Sequence, residues 1–235
     1  MDVNSPGFRD AKTRANKDMM KAALFAILTV LMTLPAAAQS RDQALIAAAA
    51  KGDLASVERL IREGAGVKAR DNRGRTALLA ATHGNHVAVA GALIAAGSDV
   101  NAKDDIDDSP YLYAGAEGRT EILTMTLPTA DLKSVNRYGG TALIPAAHHG
   151  HPDAVRVLLG TAIDKDHVNR LGWTALLEAV ILGDGGPVHT EIVRLLVEAG
   201  ANVNIADRER VTPLQHAKRR GFGEMVRILE ARGGR

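Results

Sequence analysis

Asp71-Asn72-Arg73-Gly74-Arg75-Thr76-Ala77-Leu78-Leu79-Ala80-Ala81 decides the fold, because its pieces return along the chain at a nearly constant spacing. The Thr-apolar-apolar core recurs at Thr141-Ala142-Leu143-Ile144 and Thr174-Ala175-Leu176-Leu177. Variants stand at Ser109-Pro110-Tyr111-Leu112 and Thr212-Pro213-Leu214-Gln215. Successive starts lie 33, 32, 33 and 38 residues apart, and a degenerate unit precedes them with Gln43 in the Thr place. A unit of this size cannot bury its own apolar face, so the pattern implies stacked repeats.

Two glycine registers keep phase with the unit. Gly52, Gly118, Gly150, Gly183 and Gly221 stand nine residues after the first position, and Gly64, Gly97 and Gly233 stand 21 after it. Asp71, Asp104, Asn136, Asn169 and Asp207 precede the Thr or Ser by five residues, where their short polar side chains favour a tight turn. The Thr or Ser is the expected helix cap, and Pro110 and Pro213 follow it where a helix tolerates proline. Ala48, Ala81, Ala114, Ala146, Ala179 and Ala217 share one position in the short first helix and let the next unit approach. The nine-residue glycine ends that helix. A second helix carries apolar stripes such as Val155/Leu158/Leu159 and Ile192/Val193/Leu195/Leu196.

These residues, with Glu198-Ala199-Gly200-Ala201-Asn202-Val203-Asn204-Ile205-Ala206-Asp207, resemble the ankyrin family over residues 42–235. The resemblance implies an all-α ankyrin-repeat solenoid of about six helix-turn-helix units: 42–70, 71–103, 104–135, 136–168, 169–206 and 207–235. It also implies projecting finger turns, a concave surface and a role in protein recognition. The family's usual His three residues after the Thr is absent; Ile46, Leu79, Leu112, Ile144, Leu177 and Gln215 stand there, so apolar packing is expected instead. The third unit departs most, with Pro128 at its second helix and Asp131-Leu132-Lys133 in place of a terminal glycine motif. That joint and Ala162–Asp166 are expected to be soft.

Composition narrows the function classes. Residues 1–38 carry five basic and three acidic residues of the chain's 29 and 27, so the remainder is formally balanced. A neutral solenoid with 3% aromatic residues lacks the electrostatic footprint and stacking surface of nucleic-acid binding. The absence of cysteine excludes disulfides, Cys-ligated zinc and thiol nucleophiles. Lys21 followed by the apolar run Ala22–Leu34 and Pro35-Ala36-Ala37-Ala38 reads as an export signal, residues 1–38, cleaved after Ala38. Residues 1–19 read either as an extended basic region or as the product of a start codon assigned too early. The apolar run is shorter than the roughly 18–20 residues that span a bilayer, so no stable membrane insertion is expected after cleavage. The expected destination of residues 39–235 is the periplasm or the exterior.

Three places invite a functional reading. The extra residues of the fifth unit fall in Asp184-Gly185-Gly186-Pro187-Val188, a compact loop or a tolerated spacer. His148, His149 and His151 cluster in the fourth unit, and His189 shares the register of His151; imidazoles gathered this way suit zinc, copper, iron or haem. The plain alternative is a turn histidine, since His86 shares that register too. Finally, Arg137, Tyr138, Arg170, Leu171 and Trp173 occupy finger positions of adjacent units, with Tyr113 and Glu178 nearby on the concave side. Arg, Tyr and Trp are the types most enriched in interface hot spots. The acidic run Asp104–Asp108 reads as a solvated finger or as a surface that steers a basic partner, and Lys218-Arg219-Arg220 as a polar cap of the last unit.

The expectation is therefore a monomeric, exported binding module for another protein, with no cofactor assigned and no enzymatic activity. No nucleophile–base motif or phosphate-binding glycine loop is present. The second reading is a metal- or haem-associated periplasmic accessory protein, for example in oxidative-stress protection.

Overall fold

The computed structural model describes residues 38–235. The expected export segment lies outside them apart from Ala38. Twelve α-helices are present among the described residues, two per unit. They are α1 (38–51) and α2 (Leu54–Arg62), α3 (Ala77–His83) and α4 (Val87–Ala95), α5 (Pro110–Ala116) and α6 (Thr120–Thr126), α7 (Leu143–His148) and α8 (Pro152–Leu159), α9 (Ala175–Ile181) and α10 (Pro187–Glu198), and α11 (Pro213–Arg219) and α12 (Gly223–Ala231). First helices stack on first helices, α3 through α11, and second helices stack on second helices, α2 through α12. The result is an all-α solenoid held by contacts between neighbouring units.

Each unit is built as its residues require. The finger Asp or Asn folds its turn by accepting backbone N–H groups two and four residues on: Asp71 from Arg73 and Arg75, Asn136 from Tyr138 and Gly140, Asn169 from Leu171 and Trp173. Thr76, Ser109, Thr174 and Thr212 cap their helices, each accepting the N–H three residues later. The alanine-rich first helices are almost wholly buried; every residue from Ala175 to Val180 is. Ile46, Leu79, Leu112, Ile144 and Leu177 are buried, so apolar packing does fill the place of the missing histidine.

Three local expectations need correction. Thr141 does not cap α7: its buried hydroxyl lacks a hydrogen-bond partner among the described residues. The cause is Pro145. The other capped units close their first turn with an N–H four residues after the cap, as Glu178 N donates to the Thr174 carbonyl. Proline has no N–H to give, so Ile144 N bonds the Thr141 carbonyl at 3.2 Å and the turn tightens. Second, the inserted segment is not only a loop. Pro187 and Val188 open α10, making it 12 residues long. Third, the anomalous end of the third unit is tied down. Leu127–Thr129 forms a 3-10 turn, and the Asn101 amide then donates to the Thr129 carbonyl at 2.9 Å and accepts from Asp131 N at 2.8 Å.

Candidate functional site: the concave pocket of units three to five

The concave face opens into a pocket of about 430 Å³ where units three, four and five meet. It is assembled from matching positions in successive units. Tyr113, Pro145 and Glu178 stand four residues after Ser109, Thr141 and Thr174, on the inner side of α5, α7 and α9; His148 and His149 come from the end of α7; Asn136, Arg137, Tyr138, Asn169 and Leu171 come from the fingers. Unit four supplies half of the wall, and units three and five close its two sides, so the pocket exists only when the units stack.

Glu178 is the unusual member. It is 6% exposed, and its Oε1 accepts a 2.8 Å hydrogen bond from Asn169 Nδ2. Burial pushes its carboxyl up to about 7, although the Asn169 amide pulls the other way. Its other oxygen lies 3.7 Å from His148 Nδ1, beyond hydrogen-bond reach. Burial, reinforced by His149 and His189, lowers the His148 pKa. With that imidazole neutral near pH 7, the contact is not an ion pair. Asp108 lines the same pocket and is also raised by burial and by neighbouring Asp104, with Arg137 opposing from 3.8 Å. The Arg137 guanidinium in turn lies over the Tyr138 ring, 4.9 Å from its centroid.

Five of the seven residues expected at a partner surface line this pocket: Tyr113, Arg137, Tyr138, Leu171 and Glu178. Arg170 and Trp173 do not. Arg170 lays its stem beside Gly139 and donates to the Arg137 carbonyl at 2.8 Å, tying one finger to the previous one. Trp173 is half-buried in the finger base. Val211 occupies the same register and is buried, so the position just before the cap turns inward. Sequence reasoning missed Asp108, Glu117, Asn136 and Asn169 as pocket residues. It also missed Ile106, whose register three residues before the cap is shared with Tyr138 and Leu171. All three are about half exposed and form an apolar row on consecutive fingertips.

The histidines do meet on one edge. His148 and His149 rings lie 4.8 Å apart, and His149 and His151 rings 6.2 Å apart. Their visible work is structural. His149 Nδ1 reaches the Ala116 carbonyl at 2.8 Å, and His189 Nε2 reaches the His148 carbonyl at 3.0 Å while its Nδ1 faces Asp184 at 3.1 Å. His86 makes the same backward link to Ala50 at 3.2 Å. No group of three or more His, Asp or Glu side chains is placed to hold a metal ion among the described residues. Within the insertion, Asp184 accepts from Gly186 N at 2.9 Å, Pro187 starts α10, and Gly185 packs against Phe222. Arg220, stacked over Phe222 at 4.7 Å, donates to the Ile181 and Gly183 carbonyls at 2.6 and 2.9 Å. The segment is thus clamped between units five and six.

Comparison with known proteins agrees with this architecture. A family model described as ankyrin repeats (3 copies) matches residues 19–104, 111–207 and 167–233. The putative ankyrin repeat protein YahD of Escherichia coli is 38% identical over 188 residues, covering 79% of this chain and 94% of that protein. Among solved structures, an ankyrin repeat domain from Acinetobacter baumannii is 53% identical, with a TM-score of 0.79 over 81% of this chain and 98% of that one. The ankyrin repeat protein EF0377 is 44% identical, with a TM-score of 0.78 over 80% of this chain and 97% of its own.

Proposed function

The chain belongs to the ankyrin repeat family, and from that premise we propose that it is an exported protein-interaction module that grips its partner with the fingers and concave pocket of units three to five. One observation carries the reading: the concave pocket and the row of exposed apolar fingertips fall on the same three units. Of the other large exposed apolar groups, Leu182 lines the pocket, and Val168 and Val188 also belong to units four and five. Pocket and row together offer what an interface core needs, apolar area beside a few placed polar groups. Export rests on the basic, apolar and small-residue order of residues 21–38. No helix among the described residues is long and apolar enough to cross a membrane.

The test is photo-crosslinking in cells. A photoreactive residue replacing Tyr138 is expected to capture one discrete protein in the exported fraction. The same residue replacing Arg227, on the exposed outer side of α12, is expected to capture none. Equal capture from both positions removes the proposed face. A chain that stays unshortened inside the cytoplasm removes the export claim alone.

A further inference from the structure

We infer that the pocket of units three to five receives a basic side chain, a lysine or arginine of the partner protein, whose charge is met by Glu178 and Asp108 and whose stem lies among Tyr113 and Tyr138. The inference deepens the interaction reading above and rests on it. Its ground is charge complementarity inside a formed concavity. Three carboxyl groups line the pocket, Asp108, Glu117 and Glu178, against a single arginine, Arg137. That arginine is already engaged at the rim by Asp108 and by the Tyr138 ring. Glu117 is partly exposed, with His149 Nδ1 at 3.5 Å. Glu178 is more than nine-tenths buried: one oxygen is hydrogen-bonded only to a neutral amide, and the other faces the His148 imidazole at 3.7 Å. A buried carboxylate without a counter-charge is unfavourable, and a cation entering beside it relieves that state. Burial raises the Glu178 pKa, and burial with the Asp104 charge raises that of Asp108 against the opposing Arg137.

Size and lining agree. A volume of about 430 Å³ lies toward the lower end of the range for ligand pockets and accommodates one long side chain. Lysine and arginine carry apolar stems that need cover while their heads need acceptors. Tyr113 and Tyr138, with Ile144 and Leu182, supply that cover; Glu178 and Asp108 supply acceptors. An anionic occupant would meet the unpaired Glu178 oxygen and a pocket in which the one guanidinium is already shared.

The test is an NMR titration of the full chain with three blocked tripeptides, Gly-Arg-Gly, Gly-Lys-Gly and Gly-citrulline-Gly. Citrulline keeps the shape of arginine and removes its charge. Saturable shifts centred on Asn169 and Glu178 are expected with the charged peptides, and binding roughly tenfold weaker with citrulline, the worth of one charge-assisted hydrogen bond. Glu178→Gln and Asp108→Asn should each lose most of that preference, whereas Glu209→Gln, on an exposed finger of the last unit, should keep it. Citrulline binding as tightly as arginine, or no saturable response to either charged peptide, overturns the inference. A partner still crosslinked through Tyr138 under either of those outcomes leaves the interaction reading intact and removes only the claim about charge.

Discussion

Asn169 and Glu178 repeat, with inverted polarity, the contact that Asp207 and His216 make one unit later. Both pairs join the finger residue five before the cap to the inner helix residue four after it, at 2.8 Å from Asn169 Nδ2 to Glu178 Oε1 and 2.6 Å between His216 Nε2 and Asp207 Oδ2. In the last unit a carboxylate sits in the finger and its partner can carry a proton. Burial opposes ionisation of Asp207, yet the Val211 N–H and His216 hold its pKa below the usual range. In the fifth unit the carboxyl group sits on the helix and faces a neutral amide.

The sign of the resulting pH dependence follows from Glu178. Its folded-state pKa of about 7 exceeds the ordinary 4.5. Below that lower value the folded and unfolded chains both hold the proton. Between the two values only the folded chain holds it, so stability falls as pH rises, and above about 7 the full penalty remains, on the order of 3 kcal/mol. Glu178→Gln keeps the hydrogen bond from Asn169 and removes the ionisation. Thermal denaturation at pH 8 should therefore place the variant several degrees above the parent, with the gap closing at pH 4. A gap independent of pH would show that ionisation of Glu178 is not its cause.

The two threonine positions should respond differently to truncation. Thr174→Ala removes a working cap and should lower stability by about 1 kcal/mol. Thr141→Ala removes a hydroxyl that has no hydrogen-bond partner among the described residues and should be near neutral. In a Pro145→Ala background, where residue 145 regains its N–H, Thr141→Ala should become as damaging as Thr174→Ala. Urea unfolding of the four variants measures this coupling directly.

Gly185 has φ of +75°, and a Cβ there would collide with the Phe222 ring. Gly185→Ala should thus destabilise the joint between units five and six by roughly 1–3 kcal/mol, through backbone strain and displaced packing together. Arg220→Ala should act on the same joint by removing the donors to Ile181 and Gly183. Hydrogen exchange should report faster exchange in α11 and α12 for both variants, with α3 and α4 unchanged. Uniform acceleration along the solenoid would argue against a local clamp.

Partner capture and stability should separate along the fingers. Tyr138→Ala truncates an exposed ring and should weaken partner binding with little change in melting temperature. Trp173→Ala empties a half-buried site and should lower the melting temperature. Calorimetric unfolding and a binding titration on the same two variants distinguish these roles.

The repeat was legible because its information is local and recurs: a turn-forming Asp or Asn, a cap, a buried alanine and a chain-reversing glycine. Even a departure obeys the register, for Asn85 takes the glycine's place in the second unit with φ of +54°. Residues with a short polar side chain tolerate that conformation. The failed cap at Thr141 was legible in principle, since Pro145 is visible in the sequence and its missing N–H has one consequence. The pocket was only half legible. Tyr138 and Leu171 stand out as residue types, but Asn136, Asn169 and Asp108 look like turn formers, and only stacking turns part of their surface into a shared wall. Ile106 was hidden inside an acidic run that draws attention to charge.

The backward hydrogen bonds along the histidine edge have an evolutionary consequence. His86 reaches Ala50 across 36 residues, and His189 reaches His148 across 41, yet both land on the end of the preceding unit's first helix. Unit length is thereby uncoupled from pitch. Added residues at this edge are absorbed before the next link closes, and everything downstream keeps its phase. Such a turn can therefore be lengthened or exchanged as raw material for new contacts while the stacking of the units on either side is kept.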